Sequence, residues 1–298
     1  MPRAALGLLA ALAVVAVGCE TTGVGVQLGG VGGGLGGALG TVSRVMTTGV
    51  PAAKASFVDL DEPQEIELGR AVTASIGSRY RLLRDPALTR YVALVGNAVA
   101  AQSDRPDLRY YFGVLDATEV NAFATPGGFV VVTRGALTLM RDEAMLAGVL
   151  AHEVGHIALR HHVETIKAQK RKELAILGLQ EGLSQTRVAP FSGAISSAAD
   201  SLAEQVVLKG HSRAEESEAD RVGFQYAARA GYDAAGLREF LAALLQRGGR
   251  DASVSRFFST HPGLDERLGE QDRLLQERGT GAGGVRNAER FTRAIGGP

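Results

Sequence analysis

Two histidines four residues apart, with a glutamate beside the first, form the most chemically loaded stretch of the chain: His152-Glu153-Val154-Gly155-His156. On a helix, residues four apart share a face one turn apart, so both imidazoles reach a single ion. Glu153 then stands next to that ion, able to present its carboxylate to a water on it. Leu146, Val149, Leu150, Val154 and Ile157 make this helix a core element, so its polar residues are the anomaly. The His-Glu-x-x-His pattern arises by chance in on the order of one per cent of chains this long. The apolar flanks therefore carry weight, because they argue against a surface helix with two solvated histidines. His161 and His162 fall at the expected end of the helix, where an imidazole interacts with the dipole and solvent, and read as structural.

A catalytic zinc needs a third protein ligand and an open position. Glu216-Ser217-Glu218-Ala219-Asp220 offers one: Glu216 and Asp220 share a helical face. Glu216 can bind the metal while Asp220 accepts a hydrogen bond from the ring N–H of a ligand histidine, fixing its tautomer. Glu215 and Glu218 read as a solvated face. The ligands must be His and carboxylate, since the lone cysteine, Cys19, cannot build a Cys-rich cluster. One zinc ion per chain is expected. Arg213 and His211 are candidates for a second electrophile, and each reads equally well as a solvated surface residue.

The elements around these motifs are mostly helical. Helical spacing is expected over Pro63–Gly77, and Asp85-Pro86 reads as a cap and first helical residue ahead of Leu88, Tyr91, Val92, Val95 and Val99. A β segment follows: Arg109–Leu115, Asn121–Thr125, a Pro126-Gly127-Gly128 turn, and Phe129–Thr133. Helices are expected at Leu137–Met140, Asp142–His162, Arg213–Ala230, Ala234–Gln246 and Gly263–Glu277, with Ser259-Thr260 as loop. The class is mainly α with one small antiparallel sheet (α+β). The folded domain is expected over 59–278, with a mobile Gly-rich tail at 279–298.

The N-terminus reads as an export signal over residues 1–18. Arg3 precedes an uncharged apolar run, Ala4–Gly18, too short for a membrane-spanning helix. The run ends in Ala16-Val17-Gly18-Cys19, which resembles a lipobox, although such boxes prefer Leu where Ala16 stands. Lipidation of Cys19 is the favoured reading over an ordinary cleaved signal. Residues 19–58 then form a glycine-rich tether. Glu20 after the cysteine favours outer-membrane sorting. Lys plus Arg and Asp plus Glu balance at 32 each, so no long-range field draws in nucleic acid. Tryptophan is absent, which leaves few base-stacking surfaces.

Two further pieces, Asn121-Ala122-Phe123-Ala124-Thr125-Pro126-Gly127-Gly128 and Ser259-Thr260-His261-Pro262, stand in order with the first two. On these four motifs, over about residues 60–275, the chain resembles metallopeptidase family forty-eight, most of all its short periplasmic lipoprotein members. The resemblance implies a zincin-type domain with the His-Glu-x-x-His helix and a second ligand helix. It assigns His152, His156 and Glu216 to zinc, Glu153 to the general base and Asp220 to support. It makes Asn121, Ala122, Phe123, Ala124 and Thr125 an edge strand that pairs with extended substrate, which reads backbone more than side chains. It puts His261 where it can approach the metal and gate it, while the residues alone read equally well as a histidine that caps or packs against the following helix. The chain departs from integral-membrane members in lacking long membrane helices, and from others in lacking a tetratricopeptide array.

The expected function is zinc-dependent endopeptidase action on misfolded or unassembled envelope proteins, from a lipid anchor on the periplasmic face of the bacterial outer membrane. A holding chaperone or adaptor using the same groove is the competing class, against which the intact Glu153 argues. A metal-free structural lipoprotein would leave buried polar groups unexplained.

Overall fold

The computed structural model describes residues 60–168, 202–204, 209–248, 251–279 and 283–296. The expected signal, Cys19 and the tether lie outside these residues, as does most of 163–210. Helix α1 (Glu62–Arg79) begins with a reciprocal cap: Asp61 accepts from the Gln64 N–H at 2.9 Å, and Gln64 accepts from the Asp61 N–H at 3.1 Å. Helix α2 (Pro86–Ala100) starts where the sequence predicts, with Asp85 accepting from the Leu88 N–H at 2.9 Å. It buries Leu88, Val92, Val95 and Val99.

The sheet is small and follows these two helices in the chain. It contains β1 (Tyr111–Leu115), β2 (Ala122–Thr125) and β3 (Phe129–Thr133) in the order β1-β3-β2. It is mixed rather than wholly antiparallel: β2 and β3 are antiparallel, while β1 and β3 are parallel. The reason is in β3, Phe-Val-Val-Val-Thr, an unbroken apolar run with no polar alternation. Such a strand belongs in the centre. Once it lies between β1 and β2, which run oppositely, it must be parallel to one of them. Helix α3 (Arg134–Leu139) follows β3, capped by Thr133.

Helix α4 (Glu143–Ala158) is the central element. Asp142 caps it through the Met145 N–H at 2.9 Å, and every residue from Glu143 to Ile157 is buried. A helix enclosed on all sides needs partners all round. It packs on α2, β2, α5 (Arg213–Arg229) and α6 (Ala235–Arg247). The approach of α5 is close enough to exclude side chains. A Cβ on Gly223 would sit 2.9 Å from the His152 main-chain nitrogen, and one on Gly155 would sit 2.9 Å from Val222 and 3.0 Å from the Ala219 carbonyl oxygen.

Three further expectations change. The first helix of the site stops at Ala158 instead of reaching His162, because Arg160 adopts a left-handed φ of 58° and helical residues resume at 161. Ser259-Thr260 is not loop: α7 (Ala252–Thr260), capped by Asp251, buries Val254, Phe257 and Thr260 along one face. The tail beyond α8 (Leu264–Arg278) is docked, not loose. Its helix α9 (Ala288–Ala294) buries Phe291, Arg286 reaches Asp142 at 2.7 Å and Asp233 at 2.9 Å, and Arg290 pairs with Glu143. Glycine content alone does not report such anchors. Among the described residues no helix is long and apolar enough to cross a membrane.

Replacing Gly223 by Leu should force α4 and α5 apart, costing about 3 kcal/mol of stability. Thermal unfolding measures this, and a melting temperature equal to wild type would refute the close contact.

Candidate metal centre

All six histidines of the chain gather in one region. Helix α4 supplies His152 and His156, whose Nε2 atoms are 3.1 Å apart. Helix α5, held close by Gly223, brings in Glu216, with carboxylate oxygens 3.5 Å from His152 Nε2 and 3.3 Å from His156 Nε2. His261, at the end of α7, places Nδ1 3.1 Å from Glu216 and 3.4 Å from His152 Nε2. Ligand atoms of these four residues all lie within 4.8 Å of one another, and all four side chains are buried. Glu153 is 1% exposed, with its carboxylate 3.8 Å from His261 Nε2.

Behind this group stands Arg267 of α8, a residue that sequence reasoning passed over. Its guanidinium grips Asp220 with two bonds of 2.7 Å and reaches Glu216 at 2.6 Å. Asp220 in turn lies 2.8 Å from His152 Nδ1. The signal for Arg267 was present: Leu264, Arg267, Gln271 and Leu274 form the buried stripe of α8, and a cation in such a stripe needs buried anions.

The electrostatics test whether a metal suits these residues. Three carboxylates, Glu153, Glu216 and Asp220, are buried with a single guanidinium, Arg267. Ionised, they leave two negative charges without a counter-charge in a desolvated place, which a divalent cation would balance. Burial and neighbouring charge shift the groups of the site in opposite directions. His152 rises to about 9: burial and the Arg267 charge oppose this, and the Glu216 and Asp220 carboxylates override them. Burial pushes the Glu153 carboxyl up, with His261 and His152 offsetting part of the rise. Burial would also raise Glu216 and Asp220, but neighbouring cationic groups, Arg267 among them, hold both below the usual range. Imidazole nitrogens and a carboxylate are the donors zinc takes, so the residues present fit that ion.

The remaining candidates divide. His161 and His162, expected at a solvated helix end, are 4% and 3% exposed and belong to the cluster. His211 stacks on His156 with ring centroids 3.8 Å apart. Arg213 points away, exposed and paired with Glu266. Asn121 precedes β2, and Ala122, Phe123, Ala124 and Thr125 form it, at the edge of the sheet and against α4. All five are buried, and the chain itself occupies the strand's outer groups: Asn121 Oδ1 accepts from the Ala122 N–H at 3.0 Å, and the Ala124 main chain bonds His162.

The chain is similar to several known proteases. The beta-barrel assembly-enhancing protease of Yersinia pestis is 28% identical over 208 residues, covering 70% of this chain and 43% of that protein. The metalloprotease YcaL of Escherichia coli (strain K12) is 35% identical over 159 residues, 52% of this chain and 58% of its own length. The mitochondrial metalloendopeptidase OMA1 of Schizosaccharomyces pombe is 28% identical over 220 residues, 74% of this chain and 62% of its own. The chain thus spans less than two thirds of each of these relatives. The profile of Peptidase family M48 matches residues 86–274, well over half the chain and inclusive of every buried donor of the site, so the chain belongs to Peptidase family M48.

Proposed function

We propose that the chain is a zinc-dependent endopeptidase acting on extended segments of misfolded or unassembled envelope proteins. The observation that carries the reading is the buried set His152, His156 and Glu216, with Glu153 beside it and a charge imbalance that a divalent cation would balance. His152, His156 and Glu216 would hold the ion. When bound, zinc supplies Lewis acidity toward the scissile carbonyl and toward water. Asp220 orients His152 through Nδ1, and Arg267 holds Asp220 and Glu216 in register. Glu153 removes a proton from the attacking water and delivers it to the departing amine nitrogen.

Substrate would enter as a strand along Asn121–Thr125, taking over the Ala122 and Ala124 main-chain groups now bonded within the chain. The relatives named for β-barrel assembly support an envelope setting. Cys19 would carry the lipid that holds the enzyme to the outer membrane, with residues 19–58 as its tether. His261 would gate the site. As a further donor beside His152, His156 and Glu216, its imidazole would complete the set of protein ligands, and substrate would have to displace it.

Glu153→Gln keeps the ligands and removes the base, so zinc content should persist while casein cleavage falls about 10²–10⁴-fold. Wild-type turnover in that variant would sink the mechanism. His261→Ala should raise basal cleavage of an unstructured substrate per folded molecule; flat or lower activity means that the ring only packs on Phe257, on which it stacks at 4.7 Å. Cys19→Ser should move the protein from the membrane pellet to the soluble periplasmic fraction, and continued pelleting with outer membranes would rule out the lipid as its anchor.

A further inference from the structure

The two helix-borne histidines are backed by different partners. His152 Nδ1 faces a carboxylate, Asp220, at 2.8 Å. His156 Nδ1 faces another imidazole, His161 Nδ1, also at 2.8 Å, with the rings 71° apart. The far nitrogen of that second ring, His161 Nε2, lies 3.2 Å from Glu218.

Two imidazole nitrogens at this distance need one donor and one acceptor. His156 Nε2 points at His152 Nε2 and Glu216, so in a metal site its lone pair is committed there. The His156 proton is therefore on Nδ1 and is donated to His161 Nδ1. That leaves the His161 proton on Nε2, where it is donated to the Glu218 carboxylate. One tautomer assignment satisfies all three contacts.

The backbone is built to make this contact. His161 follows His156 by five residues, which on a continuous helix would place it about 140° around the axis. Instead the chain breaks after Ala158, and Arg160 takes φ 58°. That conformation is strained for a residue with a Cβ. Arg160 is held in place by the Leu60 carbonyl at 2.6 Å and by Glu65 at 3.1 Å. The turn returns His161, 4% exposed, onto His156.

We infer that His161 is a positioning residue of the metal centre, fixing the tautomer and orientation of His156 as Asp220 does for His152, with Glu218 completing the chain of hydrogen bonds. The inference rests on the metal reading above. It assigns a role to a histidine outside the His-Glu-x-x-His motif and to a carboxylate at the surface.

The test is zinc titration of the metal-free full chain against a competing chelator, for wild type, His161→Leu and His161→Asn. Asn keeps an acceptor oxygen near the Nδ1 position, and Leu does not. Leu should weaken zinc binding about 10–100-fold, as loss of a ligand's hydrogen-bond partner does, and should shift the visible bands of the cobalt(II)-loaded protein. Asn should stay close to wild type. Melting of the metal-free forms should be alike in the two variants. Glu218→Gln, at an exposed position where folding is not at stake, should weaken zinc binding in the same direction by less. Wild-type affinity in the Leu variant, or equal losses in Leu and Asn, would overturn the inference. So would a second bound zinc that the Leu variant loses, since His156, His161 and His211 would then form an ion site of their own. Wild-type protein that binds no zinc would overturn the metal reading itself, and this inference with it.

Discussion

The distance between α4 and α5 governs the site. With glycine at 155 and 223 the two backbones touch, and only then does Glu216 reach the nitrogens of His152 and His156. Helices separated by ordinary side chains sit about 8–10 Å apart, which would leave a carboxylate short of two imidazoles one turn apart. The same contact sets Asp220 one turn further along α5, against the rear nitrogen of His152. Donor geometry here is thus a packing property of two helices before it is a property of the donors.

Close packing creates an electrostatic problem, and α8 supplies part of the answer. Three carboxylates buried together repel one another and are poorly hydrated. Arg267 compensates for one charge and ties Glu216 to Asp220, because a planar guanidinium can satisfy two carboxylates at once. The residual charge is one that a divalent ion would balance. Buried ion pairs of this kind are weak evidence of stability, since desolvation offsets much of their attraction. Their value at this site lies in orientation.

Support for α4 extends to its far end. Glu143, fully buried at the first turn, is satisfied by Tyr91 at 2.7 Å, by Asn287 at 3.1 Å and by Arg290. A helix carrying two metal-site histidines is therefore clamped at one end by α2 and the C-terminal segment, while the turn at Arg160 shapes the other. The glycine-rich residues before α9 concealed this in the sequence, since the anchors are single arginines whose partners lie far back along the chain.

Local signals were legible in the residues alone. The apolar flanks placed His152, Glu153 and His156 on a core helix, the Asp85-Pro86 pair started α2, and the spacing of Glu216 and Asp220 put both on one face of a second helix. These depend on neighbours within a turn or two, which a linear sequence displays. Decisions involving distant residues were not legible. The parallel pairing of β1 depends on which strand fills the centre of the sheet. The role of Arg267 depends on anions 47 and 51 residues away. The placing of His161 depends on a left-handed residue whose cost is offset by Leu60 and Glu65, which lie near the start of the domain and far back along the chain. Sequence periodicity determines which face of an element is buried; only the tertiary structure decides what that face meets, because burial brings together charges and rings that share no local pattern.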